Sequence, residues 1–238
     1  MLTSAPDPVV RVETAGSWRA LRVAAAVASA VAIMLTLLPV ATANASAACT
    51  AGTGPKQTKV ERFLGLVPNG KNSKSDCKAI RKFQRHYGIV PAEGYAGKVT
   101  GKLVTRLRHS ADRADRCDEQ AKVVCVDLKS QTVWIAKRGV TTWGPYPIRS
   151  GRDGYETRKG LFHVQSKDID HVSSIFGSPM PYAMFFSGGQ AFHISDRYLY
   201  DPLGSHGCVH ILPKVAPEMW DLVHVGTAVQ VFGRKPGT

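Results

Sequence analysis

The sequence predicts an α+β chain, with a small N-terminal helical domain followed by a mainly-β sandwich. Three observations carry this. Apolar residues recur at helical spacing between residues 56 and 108. From residue 123 the pattern changes to short β-rich runs punctuated by Gly and Ser. The 238-residue length leaves room for two small domains after an N-terminal segment is set aside.

The segment set aside is residues 1–47, which read as an export signal. Arg11, Arg19 and Arg22 form a positive start, and an uncharged alanine-rich run of about 18 residues follows from Val23. Ala43-Asn44-Ala45 and Ala45-Ser46-Ala47 offer the small residues that a signal peptidase reads. Ser46-Ala47-Ala48-Cys49 lacks the leucine expected before a lipidated cysteine. The expectation is a secreted or wall-located chain with no stable membrane insertion after cleavage.

The helical domain is expected over 48–117. Residues 60–66 form a first helix. Ile80, Phe83 and Tyr87 mark a second over 76–87, capped by Ser75 or Asp76. Val99, Leu103, Val104 and Leu107 share one face of a third, near 100–108. The charged stretch 112–122 is a linker or a disulfide-bounded corner. The β domain, 118–238, opens with a hairpin, Val123-Val124-Cys125-Val126 and Thr132-Val133-Trp134-Ile135. Further strands are expected at 146–149, 161–165, 183–186, 191–195, 208–212 and 228–232, with one late helix near 215–223.

Beyond the signal, five cysteines remain: Cys49, Cys77, Cys117, Cys125 and Cys208. An oxidising compartment favours bridges, and five is odd. The four upstream cysteines can pair in three ways; the expectation is one bridge within or across 49–117, with Cys117 or Cys125 tying the domain junction. Cys208 is the one left over. The charge also says something about surroundings. The net charge is +13, and residues 1–47 hold only three of the 31 basic and two of the 18 acidic residues, leaving +12 beyond them. Such a surface suits a polyanionic setting, and export favours an anionic cell wall over nucleic acid.

Cys208 sits in Gly204-Ser205-His206-Gly207-Cys208-Val209-His210, shortly after Phe192-His193-Ile194-Ser195. A thiolate nucleophile with an imidazole to take its proton has the parts of an acyl-transfer site. The competing readings are a small buried structural cysteine or half of a zinc site. If the segment is extended, His206, Cys208 and His210 project from one face. Flanking histidines and positive charge are expected to raise the thiolate fraction. The odd cysteine count favours the nucleophile.

The C-terminal half resembles the L,D-transpeptidase (YkuD-type) catalytic domain of bacterial cell-wall enzymes. Gly160-Leu161-Phe162, Met180-Pro181-Tyr182, Phe192-His193, Ser205-His206-Gly207-Cys208-Val209 and Gly226-Thr227-Ala228-Val229-Gln230-Val231 carry the likeness. More weakly, Ala79-Ile80-Arg81-Lys82-Phe83-Gln84 and Gly94-Tyr95-Ala96-Gly97-Lys98-Val99-Thr100 resemble a three-helix peptidoglycan-binding domain. The resemblance implies a β-sandwich acting on peptidoglycan stem peptides, with no metal or other cofactor. It implies Cys208 as nucleophile, expelling D-Ala from a donor tetrapeptide and passing the acyl group to an acceptor amine. It implies His193 as general base, oriented by the Ile194 carbonyl. Backbone N–H groups near Gly207 and Cys208 would form an oxyanion hole, which needs a small residue. His206 would help to bind the donor or stabilise charge. Ser205, His210 and Tyr182 are expected to face substrate, and carbapenem-type inhibitors are expected to acylate the thiol.

The chain departs from the family pattern in having His210 where Arg or Asn is common, and Thr157-Arg158-Lys159-Gly160 where Thr-Pro-Thr-Gly is usual. The loop 195–204 is expected to lie over the cleft. The rival readings are an L,D-carboxypeptidase or another wall thiol hydrolase, a zinc D,D-peptidase, and a non-catalytic wall-binding protein. Thiol peptidases of the wall generally place Cys before His, unlike this chain. The zinc signature Ser-x-His-x-x-Gly-x-Ala-x-Asp is absent.

Overall fold

The computed structural model describes residue 49 and residues 52–117 and 121–238. The export signal expected over 1–47 lies outside the described residues. So do residues 118–120 of the charged stretch.

Three helices come first: α1 (Gln57–Leu64), α2 (Lys74–His86) and α3 (Lys98–Ala111). Their facing sides bury Val60, Ile80, Phe83, Leu103, Val104 and Leu107 in one core. Val99, expected on that face, is exposed in the first turn of α3. The cap of α2 is Ser73, two or three residues earlier than expected. Its hydroxyl accepts the Asp76 N–H at 3.2 Å, and the Asp76 carboxylate accepts the Ser73 N–H at 3.1 Å. This reciprocal pair needs an acceptor three residues past the cap, and Asp76 supplies it only if Ser73 is the cap.

Among the described residues nine strands follow in two sheets, as the α+β expectation requires. The first sheet holds β1 (Val123–Asp127), β2 (Thr132–Lys137), β3 (Val140–Pro147), β4 (Gly160–His163) and β9 (Ala228–Phe232), in the order β3-β2-β1-β9-β4. The second holds β5 (Ser166–Val172), β6 (Pro179–Ser187), β7 (Gln190–His193) and β8 (Val209–His210), in that order. The helix α4 (Ala216–Leu222) sits between β8 and β9 in the chain. The expected hairpin is β1 with β2, antiparallel, with Val124 opposite Ile135. On its other side β1 runs parallel to β9.

β1 is buried throughout, and apolar up to Asp127, because both its faces are covered. Val124 and Val126 face the core between the sheets with Ile135, Met184, Phe186, Phe192 and Val229. Val123 and Cys125 face a second cluster with Cys117, Trp134 and Ala228. Two elements differ from expectation. β5 was not expected: it is an edge strand, and its residues Lys167-Asp168-Ile169-Asp170-His171 are mostly exposed, so no apolar alternation marks it. β3 begins at Val140 rather than at 146 because its first residues are exposed and Gly144-Pro145 reads as a turn. As an edge strand it accommodates the proline.

The disulfides are Cys49–Cys77 and Cys117–Cys125. The second ties the segment after α3 onto β1, at the expected junction, and Cys208 is free. The bridges span sequence separations of 28 and 8 residues. Loop-closure entropy makes the first the larger contributor, about 3–4 kcal/mol against about 2–3 kcal/mol. Denaturant unfolding of the two double Cys→Ala variants is expected to show this order; equal losses would mean that native packing rather than chain entropy sets the cost.

The helices and sheets belong to one compact unit. The loop 195–204 is part of the join. The Tyr198 hydroxyl accepts the Val90 N–H at 3.2 Å, and the Tyr200 hydroxyl donates to the Tyr87 carbonyl. The loop expected over the cleft is thus anchored on the helical region by two tyrosines.

Candidate active site

The site grows from the parallel pairing of β7 and β8, in which Phe192 opposes Val209 and His193 opposes His210. Phe192 and Val209 point into the core between the sheets. Side chains alternate along a strand, so Ala191 and His193 point to the opposite face, as do Cys208 and His210. Cys208 there packs, as Phe185 does, against the cluster of Met180, Ala183 and Ala191. The thiol and His193 therefore share the outer face of the four-stranded sheet, on a diagonal across two neighbouring strands.

His193 is nearly buried, and its Nδ1 lies 2.6 Å from the Ile194 carbonyl oxygen. A carbonyl only accepts, so Nδ1 carries the proton and Nε2 keeps a free lone pair. Burial pushes its pKa down to about 4, against the raising effect of the Ile194 hydrogen bond and with help from the Arg149 charge. At neutral pH the ring is an uncharged acceptor.

His210 stands edge-on to His193, with ring centroids 4.6 Å apart. Its Nδ1 accepts from Arg149 Nη2 at 2.7 Å, since a guanidinium only donates. Burial, then the neighbouring His193 and Arg149, lower its pKa to about 2, so it too is neutral. Arg149 is 2% exposed and also donates to the Ser195 hydroxyl at 3.3 Å. His210 thus buttresses the His193 ring, and its Nδ1, expected to face substrate, is occupied by Arg149.

The expected one-face arrangement of His206, Cys208 and His210 does not hold, because Gly207 has φ +112° and interrupts the extended segment. His206 points instead to Arg152, whose Nη2 donates to its Nε2 at 2.7 Å. Its ring stacks on Phe176 at 4.7 Å and meets the Tyr155 edge at 4.8 Å. Both histidines of His-x-Cys-x-His thus turn a ring nitrogen to a guanidinium, a poor environment for a bound zinc ion.

The turn before Cys208 is tied from several sides. Thr157 Oγ1 donates to the Gly207 carbonyl at 2.8 Å. Ser205 donates its hydroxyl proton to the Cys208 carbonyl and accepts the Gly207 N–H at 3.0 Å. Ser205 is buried in these bonds, so it shapes the turn rather than facing substrate. The Gly207 N–H is likewise occupied, which removes it from the expected oxyanion pair. The Cys208 N–H has no acceptor among the described residues and is the donor that the turn leaves available. Tyr182 is also elsewhere: its ring meets Trp220 of α4 at 5.8 Å, on the core side of β6 and away from the thiol. The sequence pattern grouped it with the site, but its φ of +59° breaks the alternation locally.

Gly207 admits no side chain. A Cβ there would come 2.4 Å from Gln190 Nε2. Gln190 cannot yield easily, because its Nε2 donates to the Glu156 carbonyl and its Oε1 accepts the Arg158 N–H, both at 2.9 Å. Gly207→Ala is expected to displace the Cys208 turn and slow thiol acylation by about 10²-fold, measured by stopped-flow. An unchanged rate would show that the turn does not position the sulfur.

The thiol itself departs from expectation. Burial pushes its pKa up, and the Ala191 N–H offsets this only in part. The nearby histidines are neutral and so add no positive charge. The resting pair is a thiol beside a neutral imidazole, and proton transfer must accompany attack.

Sequence reasoning passed over Arg149, Arg152, Tyr155, Phe176 and Gln190. The one available signal was Arg149-Ser150-Gly151-Arg152-Asp153-Gly154, two arginines in a turn-rich stretch. Nothing local showed that this stretch meets residues 205–210.

A family model, the L,D-transpeptidase catalytic domain (YkuD), matches residues 121–231. The chain is 38% identical to a solved L,D-transpeptidase (Yku) from Stackebrandtia nassauensis, over 79% of this chain and 96% of that one, with a TM-score of 0.76. An L,D-transpeptidase from Enterococcus faecium is 32% identical over 48% of this chain and 50% of that one, TM-score 0.43. One from Xylanimonas cellulosilytica is 24% identical over 76% and 95%, TM-score 0.45. No curated protein sequence matches the chain.

Proposed function

The chain belongs to the L,D-transpeptidase family and is an enzyme of that class; from this we propose that it joins peptidoglycan stem peptides through a thioester on Cys208. The observation that carries the reading is His193, whose Nδ1 is held on the Ile194 carbonyl, leaving Nε2 as acceptor on the sheet face that bears the thiol.

Cys208 Sγ attacks the carbonyl that joins the diamino acid of a donor tetrapeptide to D-Ala. The thiol proton passes to His193 Nε2 as the S–C bond forms. The developing oxyanion is met by the Cys208 N–H. The C–N bond then breaks, and His193 returns its proton to the departing D-Ala amine. In the second half, an acceptor amine attacks the thioester, His193 takes the amine proton, and the C–S bond breaks to regenerate the thiol. The half-buried Arg152 and the exposed Tyr155, His206 and Phe176 form a cationic, aromatic wall suited to a peptide with a terminal carboxylate. A carbapenem enters the same first half, its strained amide opened by Cys208. The two disulfides support an oxidising, extracytoplasmic location.

The test is incubation with a purified disaccharide-tetrapeptide and mass spectrometry of the products. A cross-linked dimer with loss of one D-Ala is expected. Tripeptide monomer alone would identify a carboxypeptidase, in which water replaces the amine. Unchanged tetrapeptide would overturn the reading.

Residues 48–117 fit a wall-binding role and 118–238 the catalytic one. The full Cys208→Ala chain is expected to sediment with isolated sacculi at low salt; a chain that stays in the supernatant would make the helices a spacer.

A further inference from the structure

A second concave site lies between the helices and the first sheet, well apart in its lining from Cys208 and His206. It is a cavity of about 920 Å³. Lys59, Lys98, Lys102 and Arg106 line it from the helices, and Lys129 and Lys235 from the sheet side. One carboxylate, Asp201, lines it among the described residues. Like charges gathered around one cavity repel at separations within a Debye length, so the arrangement costs stability unless an anion offsets it.

Two buried side chains at this cavity carry polar atoms without partners. Ser130 is 2% exposed and its hydroxyl makes no hydrogen bond. Arg149 uses Nη2 on His210 and Ser195, while its Nε and Nη1 are buried and make none. Buried donors are nearly always satisfied, and the unpaired Nε–H and Nη1–H, on different edges of the guanidinium, are charged donors that an oxyanion would satisfy. Apolar residues, including Val99, Ile148 and Leu199, complete the wall, as is usual for ligand sites.

We propose that this cavity binds a multivalent, phosphate-bearing anion. A single carboxylate would neutralise one cation and leave the others facing one another. A ligand with several phosphate oxygens and charges can meet an unpaired Arg149 N–H, the Ser130 hydroxyl and the lysines on both walls together. Because the lining comes from helices and sheet alike, an occupied cavity clamps the two parts of the molecule. Arg149 also touches His210, so the ligand borders the support of the catalytic imidazole.

The experiment is calorimetric titration of the full chain with inorganic tripolyphosphate at low salt, with oligogalacturonate as the carboxylate arm. Saturable one-to-one binding of tripolyphosphate is expected. Lys102→Glu with Lys129→Glu, both exposed and outside the catalytic machinery, is expected to weaken it by about tenfold or more. Lys74→Glu with Lys78→Glu, outside the cavity, is expected to change it less than about twofold. Absence of saturable binding, or equal losses in the two double variants, overturns the site. Tighter binding of oligogalacturonate overturns the phosphate assignment. The titration reads equally well on Cys208→Ala, so its failure leaves the proposed acyl transfer standing, and loss of that activity leaves the cavity standing.

Discussion

Cys208→Ala is expected to abolish acylation by a carbapenem and all turnover of a donor tetrapeptide. Wild-type protein incubated with the inhibitor should gain the mass of one adduct, and the variant none. The expectation has two independent grounds. Cys208 is the one free thiol in the described structure, since the other four cysteines are paired. It also lies on the outer face of the four-stranded sheet with His193, while the neighbouring Val209 faces the core. No other side chain at the site is a comparable nucleophile, so the loss should be complete rather than partial. Folding should survive, because Cys208 is only half-buried and the change removes one sulfur. Adducts on the upstream cysteines, or turnover by a folded variant, would remove the argument.

His193→Ala is expected to lower the acylation rate by about 10²–10⁴-fold, the usual contribution of a general base. The effect should be large here because the thiol is not activated in advance: burial holds its pKa up, so a proton must leave during attack. His206→Ala should cost far less in thiol acylation, since its Nε2 is occupied by Arg152 and its ring by Phe176 and Tyr155. It should show instead as a raised KM for the donor. The pH profile gives a second check. His193 accepts a proton only when neutral, and its pKa is lowered to about 4. Acylation should therefore persist as the pH falls below the ordinary histidine value of about 6.5 and decline only near pH 4. A decline near 6.5, or a near-normal His193→Ala rate with His206→Ala inactive, would move the base to His206. Circular dichroism on both variants separates these outcomes from misfolding.

Much of this was legible in the chain because it depends on local pattern. The β1–β2 hairpin follows from two apolar runs around a short polar turn. The odd cysteine count leaves one thiol over, and the Ser205-His206-Gly207-Cys208 context points to Cys208 without coordinates. The Ile194 carbonyl as the partner of His193 was implied by the family resemblance, and the structure has that hydrogen bond at 2.6 Å. The edge strand β5 was not legible, because a strand that buries neither face leaves no apolar alternation to read.

The roles around the thiol needed the fold, since they depend on which distant segments meet. A positive φ at Gly207 turns His206 away, and no spacing rule announces it. Arg149 reaches His210 across 61 residues, and Arg152 reaches His206 across 54. Ser205 and Tyr182, plausible as substrate contacts by proximity in the motif, are drawn into turn bonding and core packing. The thiol's raised pKa has the same origin: a protein interior sets the cost of charge, and only the packed neighbours of Cys208 determine how much water reaches the sulfur.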